Sequence, residues 1–368
     1  MTTVCLAMIV KNEAHILKRC LNSVLPLVDY VYVADTGSTD DTQKIANDWM
    51  QENHMPGCVE SHAWVDFGHN RTEAICRSKK LFNAHYTLIM DADEILQFEN
   101  TAKISELKNS LSCDLHNIIC KYGEIEYLRP ILFSNQKNFV YKGQLHEFLE
   151  CQDGIESSNI LQGVHNVPIQ DSSRNKDANK YKNDAALLER AIALNTDASL
   201  LQRYHFYLAQ SYKDCNNAHM AILNYEKVLS LQGYVQEKYC ACLYLGRLYL
   251  DLGQKEKCIF YLLKAIEYDK SRIETVAMVT SVLRDMNHHH MVCMLHDMFK
   301  GYDKCNNHVL FKEMELYKNH VEFNFSVSAY YCGRKEEGKN VLKKILADAD
   351  TSSILMEQAK KNSVFYDL

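Results

Sequence analysis

Residues 4–10, VCLAMIV, are apolar without a break and too few for a helix, the pattern of a strand buried on both faces of a parallel sheet. From 13 to 24 the period changes. Ile16, Leu17, Cys20, Leu21 and Val24 fall on one helical face, and Pro26 ends the helix. Residues 29–34, DYVYVA, predict a second strand. The turn DTGSTDD follows, with Thr39 or Asp40 placed to cap a helix through Ile45 and Trp49. A third strand is predicted at 58–64, a third helix at 71–83, and a fourth strand, YTLIM at 86–90, running directly into DADE. Alternation of this kind predicts an α/β domain on an open, mostly parallel sheet. Residues 114–150 then read as antiparallel strands, so the sheet should be mixed.

After about residue 167 the texture changes. QDSSRNKDANKYKND is polar and predicts a boundary or loop, and everything beyond it reads as helix. LAQSY at 208–212 returns as LGRLY at 245–249, and AILNYEKVL at 221–229 returns at the same spacing as CIFYLLKAI at 258–266. Weaker copies cover 273–300 and the stretch from Gly333 through LKKIL at 342–346. Helical hairpins near a ~34-residue period are the signature of tetratricopeptide-like repeats. The predicted organisation is an α/β domain over 1–170 and an all-α repeat domain over 171–368.

Composition narrows the class. The net charge of −6 gives no basic footprint for duplex nucleic acid. The 14 cysteines include no CxxC pair, and Cys5, Cys20, Cys76, Cys120, Cys240, Cys242 and Cys258 sit inside apolar stretches, which predicts buried free thiols. No signal peptide is visible and no stretch approaches the ~20 apolar residues of a membrane span, so a soluble, cytoplasmic protein is expected.

Three loops carry candidate chemistry. Asp91, Asp93 and Glu94 lie just past a buried strand, where carboxylates repel one another unless a cation compensates, and oxygen ligands there suit Mg²⁺ or Mn²⁺ bridging a diphosphate. Asp35-Thr36-Gly37-Ser38-Thr39-Asp40 opens a helix. Gly37 permits the tight turn, and Asp35 is placed to accept from a nucleobase or sugar. Val10-Lys11-Asn12-Glu13 follows the first strand. The ends of the first, second and fourth strands are where a nucleotide lies across a doubly wound sheet. Glu147 and His146, in a strand-like run after Gly143, are the candidates for a base that takes an acceptor proton. His288-His289-His290 reads as a polar turn between helices.

VKNE, DTGSTD, Arg71, DADE and YKGQLHE together resemble a family 2 glycosyltransferase of the GT-A (Rossmann-like, nucleotide-diphospho-sugar transferase) fold, of the stand-alone bacterial and giant-virus type that carries tetratricopeptide-like repeats. The resemblance implies a nucleotide-sugar site of Val10, Asn12, Glu13, Asp35, Gly37, Arg71, Asp91, Ala92, Gly143 and His146. It implies metal ligands Asp91, Asp93 and His165, with Mn²⁺ or Mg²⁺ as cofactor, and Glu147 as catalytic base. The expected donor is a UDP-sugar, the acceptor a glycan or polypeptide, and the outcome inversion, because no second nucleophile is evident. The helical repeats would hold the acceptor or pair subunits. RPILF stands where the family commonly has RPRLF, one basic residue fewer. The competing reading is a helical-repeat scaffold whose α/β domain is inactive. A nucleotidyltransferase is disfavoured because VKNEAH lacks the glycine-rich loop that cradles a triphosphate.

Overall fold

The computed structural model describes residues 2–123, 125–194, 197–300 and 310–368. The chain divides into two compact units, residues 1–123 with 127–215, and residues 124–126 with 216–368.

In the first unit the apolar runs become β1 (Val4–Val10), β2 (Tyr30–Asp35) and β4 (Tyr86–Ile89), with the shorter β3 (Gly57–Ser61) at the edge. Strands β5 (Glu94–Phe98), β6 (Leu115–Tyr122), β7 (Ile125–Ser134) and β10 (Ser158–Pro168) complete a sheet in the order β3-β2-β1-β4-β7-β6-β10-β5. β1 runs parallel to β2 and β4, and β2 to β3. β4–β7 and β5–β10 are antiparallel. The sheet is therefore mixed, as expected. β2 lies on one side of β1 and β4 on the other, so a crevice opens beyond their carboxyl ends at this topological switch point.

Helices α1 (Leu17–Val24), α2 (Thr42–Glu52) and α3 (Phe67–Leu81) connect these strands. α1 buries Leu17, Cys20, Leu21 and Val24, the i, i+3, i+4, i+7 face read from the sequence. Each such side chain contributes about 1.5–3 kcal/mol of burial. Their core continues through Val4, Leu6, Met8, Val31, Val33, Trp49 and Leu88. The expected caps of α2 are replaced. Asp41 is the N-cap without a side-chain bond, while Asp40 accepts from the Thr42 backbone N–H at 3.0 Å.

Three expectations are corrected. The strand-like run expected to hold His146 and Glu147 is instead the loop between β8 (Phe139–Lys142) and β9 (Phe148–Cys151), a separate antiparallel pair. Gly143 at φ 107° and His146 at φ 53° break it, because left-handed residues cannot continue a pleated strand. Cys76 is exposed on α3, not buried, since its neighbours Ala74 and Ile75 take the core face. His289 and His290 begin a helix instead of forming a turn. The other cysteines named from the sequence are buried and free. Past α4 (Ile104–Asn109), α5 (Lys180–Leu194) packs along α6 (Leu201–Asp214), and both belong to the first unit.

The second unit stacks α7 (Ala218–Ser230), α8 (Val235–Asp251), α9 (Lys255–Tyr268), α10 (Glu274–Asp285), α11 (His289–Phe299), α12 (His320–Tyr331), α13 (Lys335–Ala347) and α14 (Ser353–Asn362), each packing on the next. A left-handed residue recurs in the hairpin turns: Asn216, Gly253, Asn287 and Gly333. Gly246 packs its backbone against Leu262, where an added Cβ would come within 2.7 Å, which explains the small residue in the repeat. No described helix is long and apolar enough to cross a membrane.

Candidate active site

The turn after β2 is built around Asp35. Its Oδ1 accepts the backbone N–H groups of Gly37 and Ser38, both at 2.8 Å, and Gly37 takes φ 104°. Asp35 is fully buried, and its Oδ2 has no protein partner. A buried carboxylate oxygen left open is costly unless a donor meets it, which makes this atom a candidate acceptor for a ligand N–H or O–H. Asn12, at φ 58°, laces the end of β1 to this turn. Its N–H donates to Ser38 Oγ at 2.9 Å and its Oδ1 accepts from the Thr39 N–H at 2.7 Å. The Val10 carbonyl is taken by Thr36, while the Val10 and Ala92 side chains lie in the core. Neither residue turns its side chain out of the core.

Arg71 joins two acids. It is buried on α3. Its Nη2 donates to Asp91 Oδ1 and its Nε to Glu147 Oε1, both at 2.6 Å, while its Nη1 is buried without a partner. Burial would raise the Asp91 carboxyl, but the charges of Arg71, Arg129 and Arg174 hold it below the usual range. Burial and the Asp91 charge raise Asp93. Glu13 is pushed up to about 7, first by burial and then by Asp93, Asp91 and Asp40, against the lowering bond from the Ser173 N–H.

Glu94 leaves the acidic cluster that the sequence suggested. It is 3% exposed, pairs with Arg129 and accepts from Asn166 Nδ2. It begins β5, so its side chain turns into the sheet.

His165 is not brought to the acidic pair either. Its Nε2 bonds Glu99 Oε1 at 3.1 Å, while Asn166, next on β10, reaches Glu94. Successive strand residues point to opposite faces. Among the described residues, no three His, Cys, Asp or Glu side chains converge to hold a cation. The two aspartates still suit one in charge, because each raises the other's cost of ionisation. Mg²⁺-type sites commonly take one or two carboxylates and complete the sphere with phosphate and water.

The loop from Gly143 to Glu147 is pinned to α3. The Phe67 N–H donates to the Gln144 carbonyl at 3.2 Å, and a Cβ on Gly68 would lie 2.4 Å from the Gly143 carbonyl. The close approach accounts for Gly68, and the φ of 107° accounts for Gly143. His146 stacks on Tyr207 with centroids 3.9 Å apart and planes 5° apart, and Arg203 donates to its carbonyl at 2.7 Å. Burial, reinforced by Arg174, Arg203 and Lys180, pushes its imidazole down to about 3.

The polar segment after β10, expected as a boundary or loop, has a role its composition does not announce. It is a strap fastened to the site. Arg19 grips Asp171 with two bonds of 2.7 Å, Ser173 bonds the Glu13 carboxylate and the Asn12 carbonyl, and Asn175 Nδ2 donates to Asp93 Oδ2 at 3.0 Å. Lys180 Nζ donates to Asn175 Oδ1 at 2.6 Å, and Arg174 lies over the Phe67 ring at 4.6 Å. The available signal was the density of Ser, Asn, Arg and Lys directly after a strand, which composition alone also assigns to an ordinary linker.

Residues 5–115 match the model of glycosyl transferase family 2, and residues 241–272 match a tetratricopeptide repeat. The N-terminal part of the chain is a family 2 glycosyltransferase domain. It has the GT-A arrangement, followed by tetratricopeptide-like helices. The family 2 match takes in Asn12, Asp35, Arg71, Asp91 and Asp93 and stops before Glu147, His165 and the strap, which rest on geometry alone. A TPR repeat-containing protein of Synechococcus elongatus is 33% identical over 156 residues, 41% of this chain and 36% of that protein. The chain thus spans about a third of the length of the curated relative it matches. Among solved structures, S. aureus TarS residues 1–349 in complex with UDP-GlcNAc is 12% identical at a TM-score of 0.38, covering 73% of this chain and 91% of that one. YrrB, a TPR protein with an unusual peptide-binding site, is 20% identical at a TM-score of 0.35, covering 50% and 92%.

Proposed function

We propose that this chain is a glycosyltransferase that moves a sugar from a nucleotide-diphosphate donor, a UDP-sugar, to an acceptor hydroxyl with inversion. The observation that carries this reading is Arg71, which holds Asp91 at the end of the central strand and Glu147 on the β8–β9 loop in one site. The open Oδ2 of Asp35 takes the nucleobase N–H, with Asn12 and the Gly37 turn beside the ribose. Asp93 and Asp91 would hold Mn²⁺ or Mg²⁺, with His165, bonded to Glu99, outside that set. A divalent cation bound there would supply Lewis-acid neutralisation of the departing diphosphate. Glu147 takes the proton of the acceptor hydroxyl as that oxygen attacks the anomeric carbon from the face opposite the diphosphate. Burial makes the His146 imidazole a weak proton acceptor and it is stacked on Tyr207, so it orients the loop and does not share that role. With one base and no second nucleophile beside it, a single displacement inverts the centre.

The test mixes purified protein with a panel of nucleotide sugars and Mn²⁺, reading nucleotide release and thermal shift. One UDP-sugar should raise the melting temperature, and chelation should remove the shift. Asp93→Ala should lose both. Glu147→Gln should keep the thermal shift and lose transfer. Unchanged turnover in Asp93→Ala, or no response to any nucleotide sugar, rejects the reading.

A further inference from the structure

Trp64 is 43% exposed, while the chain's other tryptophan, Trp49, is fully buried. The exposed ring does not sit on a loose loop. Asn70, 1% exposed, bonds both sides of it: its Oδ1 accepts the Val65 N–H and its Nδ2 donates to the Ala63 carbonyl, both at 2.9 Å. Trp64 also packs edge-to-face against Phe67, with centroids 4.8 Å apart and planes at 82°. A buried carboxamide that clasps the two flanking residues presents an aromatic surface with its ordering cost already met, as preorganised recognition requires. The ring is also tied to the chemistry. Asn70 directly precedes Arg71, and the Phe67 N–H bonds the Gln144 carbonyl on the loop that carries Glu147.

We propose that Trp64, seated on Phe67, is the platform for a saccharide ring of the acceptor. This assignment rests on Glu147 being the base that meets the acceptor. A pyranose offers an apolar C–H face to an aromatic ring and a rim of hydroxyls to solvent and polar neighbours. A nucleobase is the less fitting occupant, because its open polar partner is at Asp35 and Trp64 is linked through Phe67 to the base-bearing loop instead.

The two tryptophans make the test direct. Full-length protein is titrated with neutral oligosaccharides, with UDP and with a serine- and threonine-rich peptide, following tryptophan fluorescence and calorimetric heat. A saturable fluorescence change with at least one oligosaccharide, kept in Trp49→Phe, supports the platform. Trp64→Ala should weaken that saccharide about tenfold, one stacked ring's worth, and Trp64→Phe by less. Melting curves establish that each variant is folded. A response to UDP or to the peptide alone, no saccharide response, or equal affinity in Trp64→Ala overturns the assignment. These are binding readouts, so they stand whether or not the donor screen finds transfer, and a failed platform leaves the donor screen untouched.

Discussion

Asp91 and Glu147 are held by one guanidinium, that of Arg71, with 2.6 Å on each side. One residue at the end of a parallel strand and another on a hairpin loop are thereby fixed relative to each other. Arg71→Ala should leave two acids without their cation, lowering stability by about 3 kcal/mol in urea unfolding. Transfer should fall on the order of a hundredfold or more. Arg71→Lys keeps the charge but not the planar fork, so it should recover stability better than rate. Equal rates in wild type and Arg71→Lys would show that the fork geometry is irrelevant.

Asn175 Nδ2 occupies Asp93 Oδ2, where it would compete with the proposed cation. Removing the carboxamide should raise Mn²⁺ affinity by about three- to tenfold, the worth of one hydrogen bond. Calorimetry on Asn175→Ala measures this directly. An unchanged or weaker affinity would mean that Asn175 supports the metal site instead of competing for it.

Glu13 sets a pH dependence whose sign follows from its shift. Its folded value of about 7 lies above the ordinary carboxylate range, through burial first and the charges of Asp93, Asp91 and Asp40 next. The folded state therefore holds a proton that the unfolded chain releases at lower pH. The associated stability is present in full below the unfolded value and is lost as pH rises through about 7. Melting temperatures of wild type should fall between pH 5 and pH 8 relative to Glu13→Gln. Parallel curves for the two proteins would remove Glu13 from the account.

Glu94 separates the acids of DADE by role. Buried against Arg129 and Asn166, it belongs to the sheet. Glu94→Gln should lower the melting temperature while Mn²⁺ still binds. Asp93→Ala should do the reverse. Loss of Mn²⁺ binding in a folded Glu94→Gln protein would return Glu94 to the metal site.

The legible parts of the chain were those where one physical signal acts alone. β1, β2 and β4 are buried on both faces, so unbroken apolar runs announced them, and Asp35 and Asp91 follow directly at or just past their carboxyl ends. α1 declared itself by its period. β10 did not, because it alternates exposed and buried residues and its register with β6 shifts between Ile160 and His165. The strap was illegible for a different reason: its role comes from bonds to Asn12, Glu13 and Asp93, far away in sequence. Glu94 was misplaced because three adjacent acids look alike until a strand begins at one of them.

At Gly68 the gap between α3 and the carbonyl of Gly143 has no room for even one methyl group. The helix that presents the arginine and the hairpin that presents the carboxylate therefore meet backbone to backbone. A single alanine there would act as a wedge, parting two halves of the machinery while leaving every chemically active side chain in the sequence.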